Sequence, residues 1–321
     1  MSLDLSARLV VGVASSALFD LSVSHAIFEE EGLEAFRAHQ RELLDDPFPP
    51  GVAFAFVERL LALNALRPDD PLVEVVLLSR NDAETGRRAF RAIEHYGLAI
   101  ERAAFLQGES PRDYLPAFDC ELFLSANEAD VRAAIAAGQP AGYVIGPGAA
   151  AADAPDEPDE PDADDGALRV AFDFDGVLAD DGSEAIYASQ GIDAFRAHET
   201  ARQAEPLAAG PLKPLLDRLA AIQKLERGVA AGSRRLKIAL VTARGAPAHE
   251  RVISTLESWG VALDQVFFLG GVEKTEILRR LRPHIYFDDQ RVHLDRAALI
   301  APSVHIPFGV KNRTKGEPDS A

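Results

Sequence analysis

One phrase occurs twice in this sequence. The letters "GLEAFRAH" occupy residues 32–39, and "GIDAFRAH" occupies residues 191–198, which is an offset of 159 positions. Similarity continues along the chain in the same order, at this offset and then at an offset of 163. The matched stretches are 24–48 with 183–207, 56–64 with 215–223, 75–82 with 238–245, 92–108 with 255–271, and 121–128 with 284–291. Colinear matches on this scale predict an internal duplication of a whole domain, much longer than a solenoid repeat.

Each half alternates short apolar runs with longer stretches of helical spacing. The apolar runs are "LVVGVA", "VVLLS", "CELFLSA" and "GYVIG" in the first half, and "LRVAFDF", "KIALVTA", "HIYFDD" and "SVHIPF" in the second. The stretch "AHERVISTLESWG" (248–260) has apolar residues at helical spacing and closes on a glycine. This alternation predicts an α/β fold in which helices cover both faces of a parallel sheet. Ligands of such sheets bind at the carboxyl ends of the strands.

A strongly acidic segment separates the two halves. Residues 149–167 combine alanine, proline and eight acidic residues. Because proline removes backbone donors and like charges repel each other, this composition predicts a solvated linker. We therefore predict a first half at 1–148, the linker at 149–167, a second half at 168–311 and a polar tail at 312–321.

Composition argues against several classes of function. The formal net charge of −18 is unfavourable for binding a nucleic-acid polymer, which requires a cationic surface. No apolar run is long enough to predict a membrane span. The single cysteine, Cys120, excludes an intramolecular disulfide and a cysteine-based zinc cluster. The start of the chain resembles a signal peptide only in part, because it carries Asp4 and its apolar run is short, so we expect a cytoplasmic protein.

The two copies differ most in the reactive groups at the ends of their predicted strands. The second half places Asp173 and Asp175 after its first strand, where alternation puts both carboxylates on one side. Two acids so close repel each other unless a cation or a shared proton lies between them. The second half continues with Thr242, Lys274, Asp288 and Asp289, whereas the first half has Ala14, Ser16, Ser79, Pro111, Ser125 and Ala126 at the six corresponding positions.

Each of these residues alone has a structural explanation. A strand-end aspartate is commonly a helix cap or turn former, and a lone lysine is commonly solvated. Their joint order is more specific: D-x-D-G-V after an apolar strand, then a strand-end threonine, a lysine, and a strand-end D-D. We therefore place the candidate functional site in the second half.

These four elements resemble the motif set of the haloacid-dehalogenase superfamily of phosphohydrolases. More closely, the chain resembles the cytosolic type I 5′-nucleotidase family from about residue 8 to residue 311. The resemblance is carried by "VASSALFDL", "PLAAGPLK", "LVTAR", "SWG", "RPHIYFDDQ" and "HIPFGV". It implies a Rossmann-like parallel sheet with a small helical cap at about 182–236. The N-terminal half would then be a degenerate copy of the catalytic half.

The resemblance also implies a reaction, the Mg²⁺-dependent hydrolysis of nucleoside 5′-monophosphates such as AMP through an aspartyl-phosphate intermediate. Asp173 would be the nucleophile, and Asp175 would protonate the leaving group and then activate water. Thr242 and Lys274 would bind phosphate. Mg²⁺ would be held by Asp173, Asp175 and Asp288, with Asp289 in support. Further substrate contacts would come from Asp181, Ser183 and Glu184. Arg244, just past Thr242, would either contact phosphate or base or form a salt bridge at a helix start.

Two other functions remain open at this point. The same catalytic motifs would serve a phosphatase acting on a sugar phosphate or another small ester. A nonenzymatic nucleotide-binding protein is the third hypothesis, which the intact acids and lysine of the second half disfavour. The first half would be either an inert structural copy or a nucleotide effector site, and a homo-oligomer is compatible with the sequence.

Overall fold

The computed structural model describes residues 4–146, 165–230 and 233–312. The chain forms two compact units that divide between residues 168 and 169, here named the N-terminal unit and the C-terminal unit. Most of the predicted acidic linker lies outside the described residues, which include only 165–167 of it. The predicted polar tail also lies outside them, apart from residue 312.

The N-terminal unit contains a five-stranded sheet in which every neighbouring pair of strands is parallel. The strand order is β3-β2-β1-β4-β5. The strands are β1 (Leu9–Val13), β2 (Val73–Ser79), β3 (Arg102–Phe105), β4 (Leu122–Ser125) and β5 (Ala141–Ile145). The helices are α1 (Ser15–Leu18), α2 (Ser22–Glu31), α3 (Leu33–Glu42), α4 (Phe54–Ala62), α5 (Gly86–His95) and α6 (Glu128–Ala136).

The core of the N-terminal unit includes the chain's single cysteine. Cys120 packs in one cluster with Val10, Val76 and Phe123. Burial, together with the neighbouring Glu121, raises the pKa of the Cys120 thiol to about 12. This cysteine therefore behaves as a small apolar core residue, because the reactive thiolate is suppressed at neutral pH.

The C-terminal unit orders its five strands β10-β9-β6-β7-β8. Strand β9 pairs in parallel with both β6 and β10, and β7 pairs in parallel with β8. The strands are β6 (Leu168–Phe172), β7 (Leu236–Thr242), β8 (Gln265–Phe268), β9 (Ile285–Asp288) and β10 (Ser303–His305). The helices are α7 (Gly182–Ala201), α8 (Lys213–Leu225), α9 (His249–Ser258), α10 (Thr275–Leu281) and α11 (Arg291–Ala297).

The predicted α/β class is confirmed, and eight of the strands overlap the apolar runs quoted above. Strands β3 and β8 are the two that those runs missed. Each lies at the end of the strand order of its unit, and their residues are half-buried or exposed. An edge strand is covered less completely, so its sequence lacks a continuous apolar run. The two units use the same strand order, which supports the predicted duplication, although the duplication itself stays a prediction.

The repeated phrase forms a helix–glycine–helix bend in both units. Its glycines, Gly32 and Gly191, have φ angles of 86° and 83°, a region that glycine enters without a Cβ penalty. In each unit the bend brings two aromatic rings together edge to face. Phe28 and Phe36 lie 5.9 Å apart between ring centroids, and Tyr187 and Phe195 lie 6.1 Å apart. We call these the N-terminal and C-terminal aromatic pairs.

The two helices of the predicted cap region are covered to different degrees. Helix α8 buries one apolar face, formed by Leu215, Leu216, Leu219, Ala220 and Ile222. Helix α7 buries only Ser183, Glu184 and Glu199, which are all polar. Within the predicted cap range, α7 is therefore the more exposed of the two helices. The cap itself stays a prediction. Within the described ranges, no helix combines the length and the apolarity needed to cross a membrane.

Candidate active site

The acids predicted from sequence lie at the carboxyl ends of neighbouring strands in the C-terminal unit. Asp173 directly follows β6, and Asp288 is the last residue of β9. Thr242 ends β7, and β9, β6 and β7 are adjacent in the sheet. The continuous apolar runs of these strands bury them in the sheet, and their polar residues come at the carboxyl edge, where ligands of α/β sheets bind.

Lys274 joins the two central acids. It immediately precedes α10, and its Nζ lies 2.8 Å from Asp173 Oδ2 and 2.8 Å from Asp288 Oδ2. It also donates a hydrogen bond of 2.9 Å to the Tyr286 hydroxyl. Burial opposes the charge of Lys274, but Asp173 and Asp288 outweigh that effect and raise its pKa above the ordinary lysine value. The lysine is therefore a fixed positive charge inside the site.

Asp173 and Asp288 are held differently. Asp173 accepts a hydrogen bond of 2.8 Å from the Phe174 N–H, and burial raises its pKa although Lys274 opposes the shift. Burial also acts on Asp288, but Lys274 and His293 outweigh it and lower the pKa of Asp288. Asp288 accepts further hydrogen bonds from the Gln290 N–H at 2.8 Å and from the Tyr286 hydroxyl. Of the two carboxylates, Asp288 is thus the one more strongly held as an anion.

Asp289 is buried without a partner for its charge. Among the residues that the structure describes, neither of its carboxylate oxygens has a hydrogen-bond partner. Burial and the nearby Asp173 and Asp288 raise its pKa to about 10. Gly176 lies against it at a φ of +71°, and a Cβ there would come within 2.8 Å of the carboxyl carbon. A buried acid of this kind requires either a proton or a cation.

Three side chains of this edge could hold a metal ion together. Ligand atoms of Asp173, Asp288 and His293 lie within 4.8 Å of one another. The sequence predicted the two aspartates and missed His293, whose Nδ1 lies 3.2 Å from Asp288 Oδ2. The sequence assigned Asp175 to the metal through its backbone carbonyl, and the carboxylate of Asp175 contacts Arg244.

Arg244 binds both oxygens of the Asp175 carboxylate. Its Nε lies 2.7 Å from Asp175 Oδ2, and its Nη2 lies 2.6 Å from Oδ1. Arg244 also donates to Glu199 of α7. Burial works against its charge, yet Asp175 and Glu199 raise the pKa of Arg244 above its ordinary value. The sequence left Arg244 open between a substrate contact and a salt bridge, and in the structure Arg244 forms salt bridges to both Asp175 and the buried Glu199.

Glu199 is completely buried and has four polar contacts. Its Oε1 accepts hydrogen bonds from Ser183 Oγ at 2.8 Å and from Arg251 Nη1 at 2.9 Å, and lies 3.1 Å from His198 Nδ1. Arg244 itself supplies the fourth contact, at Oε2. Burial opposes the charge of Glu199, but Arg244, Ser183 and Arg251 together lower its pKa.

The remaining predicted contacts are engaged in other bonds. The buried Thr242 Oγ1 accepts a hydrogen bond of 3.1 Å from the Arg244 N–H. Asp181 Oδ2 accepts one of 2.6 Å from the Val310 N–H. Glu184 Oε1 lies 2.8 Å from Lys311 Nζ, while its buried Oε2 has no hydrogen-bond partner within the described chain.

Sequence reasoning missed Glu199, Arg251, Tyr286 and His293. One signal could have found Glu199. The repeated phrase is followed by glutamine in the first copy, at Gln40, and by glutamate in the second, at Glu199. Comparing the residue just beyond the matched phrase would therefore have identified a charge present in one copy alone.

Because Asp289 is buried without a hydrogen-bond partner in the described chain, we expect the stability of the protein to depend on pH and on bound metal. We expect Asp289→Asn to raise the melting temperature of the metal-free protein by about 4 °C or more, because it removes a buried, uncompensated acid. The folded-state pKa lies above the unfolded-state value, so the wild-type fold loses stability as pH rises between them. The advantage of the variant in EDTA should accordingly be larger at about pH 9 than at about pH 6.

Thermal melting with and without Mg²⁺ checks this expectation. Mg²⁺ should stabilise the wild type more than Asp289→Asn, because a cation favours the charged carboxylate. Equal melting temperatures in EDTA at both pH values would show that Asp289 has a partner for its charge in solution.

Comparison with known proteins agrees with this geometry. The family model described as 5′-nucleotidase matches residues 1–313. Human "Cytosolic 5'-nucleotidase 1B" is 37% identical to this chain over 312 residues, which are 94% of this chain and 49% of that protein. The chain thus spans about half the length of this curated relative. A match over nearly the whole chain confirms the resemblance inferred from the strand-end motifs, and this chain belongs to the 5′-nucleotidase family.

Proposed function

We propose that this protein is a cytoplasmic, Mg²⁺-dependent 5′-nucleotidase that hydrolyses nucleoside 5′-monophosphates, AMP among them, to nucleoside and phosphate. One observation carries the proposal: the buried cluster of Asp173, Lys274 and Asp288 at the strand ends, in a chain of the 5′-nucleotidase family. Carboxylates can hold a divalent cation, and a buried lysine can bind an anion beside it.

The donor atoms of the site fit Mg²⁺. Asp173 and Asp288 offer oxygen ligands, which Mg²⁺ prefers, and Asp289 has two buried oxygens without a hydrogen-bond partner in the described chain. We propose that Asp173, the backbone carbonyl of Asp175 and Asp288 bind the ion, with Asp289 in support. When bound, Mg²⁺ would neutralise phosphate charge and stabilise the charge of the transition state.

The side chains of the site are suited to two successive displacements at phosphorus. An Asp173 oxygen attacks, the bond from phosphorus to the nucleoside 5′-oxygen breaks, and Asp175 gives that oxygen a proton. Water then attacks the aspartyl phosphate, Asp175 takes the proton of that water, and phosphate leaves Asp173. Lys274 and Thr242 bind the phosphate oxygens throughout.

Arg244 and Glu199 would position Asp175 for both proton transfers. Two bonds from one guanidinium group fix the plane of the Asp175 carboxylate. Glu199, Ser183 and Arg251 in turn fix Arg244. We therefore assign Glu199 as a positioning residue that acts through Arg244.

The first copy provides an internal control for this assignment. There Gln40 Nε2 donates to Ser24 Oγ at 2.9 Å, and Arg88 Nη1 donates to Gln40 Oε1 at 3.3 Å. The serine, the amide and the arginine correspond to Ser183, Glu199 and Arg251. Only in the C-terminal unit is the amide replaced by a carboxylate, and only there do the matched positions also carry Arg244 and Asp175 in place of Asn81 and Ser16.

The C-terminal aromatic pair favours a nucleotide over a sugar phosphate. Phe195 lies 5.4 Å from the guanidinium carbon of Arg244, measured to the ring centroid, so the pair is close to the group that holds Asp175. Tyr187 is 45% exposed, so part of its side chain is accessible to a ligand. Flat, partly exposed rings stack on nucleobases.

Phosphate release from a panel of esters tests this function. AMP, other nucleoside monophosphates and sugar phosphates are compared in Mg²⁺ and in EDTA. We expect release from nucleoside monophosphates in Mg²⁺ and none in EDTA. Release from sugar phosphates alone would retain the chemistry and overturn the nucleotidase assignment. No turnover of any ester by folded protein in Mg²⁺ would favour a binding protein.

A further inference from the structure

The N-terminal unit has a large cavity where the C-terminal unit has its candidate site. The cavity has a volume of 1240 Å³, and Ala14, Ser79 and Ser125 line it. These residues stand at the carboxyl ends of β1, β2 and β4, at the positions that correspond to Asp173, Thr242 and Asp288. A cavity of this size holds a small molecule together with water.

The chemistry for metal and phosphate is missing from this lining. Ala14, Ser16 and Ser125 replace three acids, and Pro111 replaces the lysine. The arginines of the lining are already paired. Arg37 Nη2 lies 2.8 Å from Asp82 Oδ2, and both oxygens of the Asp130 carboxylate accept hydrogen bonds from Arg80.

The charge of the lining also disfavours an anion. Four carboxylates line the cavity against two guanidinium groups: Asp20, Asp82, Glu128 and Asp130 against Arg37 and Arg80. A phosphate entering this cavity would meet net negative charge, and both guanidinium groups are already paired with carboxylates. The lining therefore disfavours an anionic ligand and is compatible with an uncharged one.

Both units have an aromatic pair, which is suited to contact a planar ring. Phe28 and Phe36 line the cavity and have nearly the geometry of the C-terminal aromatic pair, with ring planes at 81° against 79°. Phe28 is 46% exposed, so its ring can receive a ligand face.

Two polar groups of the cavity are available to such a ligand. The Ser16 hydroxyl and the Asn81 carboxamide line it, both residues are half-buried, and neither side chain has a hydrogen-bond partner among the described residues. A carboxamide both donates and accepts, as the edge of a nucleobase does, and a hydroxyl suits a sugar.

We propose that the N-terminal unit binds an uncharged nucleoside in this cavity. The inference rests on the proposed function, because the nucleoside is what remains of that substrate when its phosphate is removed. The N-terminal unit has kept the aromatic pair and neutral hydrogen-bonding groups, and it lacks the groups that handle phosphate and metal.

Hydrogen–deuterium exchange of the full chain tests the proposal, because it shows which peptides a bound nucleoside protects. Adenosine and uridine are titrated in EDTA, and AMP is titrated in parallel. We expect at least one of the nucleosides to protect the peptides that cover residues 22–42, and AMP to protect them only at much higher concentration. Peptides covering residues 182–201 report separately on any binding at the candidate active site.

Ser16→Leu and Asn81→Leu supply the matched variants, since each removes a polar group that lines the cavity. Both should weaken nucleoside protection of residues 22–42 by about tenfold or more and leave phosphate release from AMP unchanged. Asn81→Ala replaces either variant that fails to fold. Absence of nucleoside protection at 22–42, equal protection by AMP, or full protection in the variants would each overturn the proposal. Protection without any AMP turnover would instead remove the proposed function alone.

Discussion

Asp173→Asn is expected to lower kcat for nucleoside monophosphate hydrolysis by about a thousandfold or more. The carboxamide has no anionic oxygen with which to attack phosphorus, so the aspartyl-phosphate intermediate cannot form. Initial rates of phosphate release at saturating substrate and Mg²⁺ measure the effect.

The fold of this variant should survive, which makes the result interpretable. Asparagine has nearly the size of aspartate, and Lys274 keeps Asp288 at 2.8 Å as its partner. The circular dichroism spectrum and a cooperative melting transition provide the control. Activity above about a tenth of the wild-type rate in a folded variant would exclude Asp173 as the nucleophile.

Glu199→Gln is expected to lower kcat by about a hundredfold with a much smaller change in KM. Glutamine keeps the hydrogen bond to Ser183 but removes the charge that holds Arg244, so Asp175 loses its fixed orientation. Because Glu199 lies behind Arg244 and need not touch substrate, the loss should fall on the chemical step. Steady-state kinetics with AMP separate the two constants.

The first copy supplies the matched control for this experiment. Gln40→Glu makes the reverse exchange at the corresponding position and should leave kcat within about twofold of wild type. An unchanged kcat in Glu199→Gln would overturn the positioning role, and equal losses in both variants would indicate a general effect on folding.

Glu199 contributes to the stability of the fold and is proposed to position Asp175 through Arg244. The dependence of the unfolding free energy on pH measures the first contribution separately from the second. The pKa of Glu199 is lowered in the folded protein, so its stabilising contribution is present above the unfolded-state pKa and is lost as pH falls through the folded-state pKa. The stability difference between wild type and Glu199→Gln should therefore shrink on acidification. At neutral pH, a kcat defect measured well below the melting temperature of the variant would reflect positioning and not unfolding.

Much of the fold could be predicted because buried strands have a local signature. Eight of the strands overlap apolar runs, and the edge strands β3 and β8 were missed because their partial burial leaves no such run. The strand-end acids were equally predictable, because a residue that ends a buried parallel strand in the sequence also lies at the carboxyl edge of the sheet. The role of Glu199 was not, because a lone glutamate on a helix has the sequence signature of a solvated surface residue.

The sequence by itself determined the α/β class, the two matching halves, and the half that carries the strand-end acids, threonine and lysine. These properties depend on local periodicity and on comparing one copy with the other. Only the tertiary structure decided that Asp289 is buried without a partner, that Arg244 binds Asp175, and that Glu199 stands behind it. Charge interactions depend on burial and on distances between residues far apart in sequence, such as the 45 positions between Glu199 and Arg244, and no local pattern encodes them.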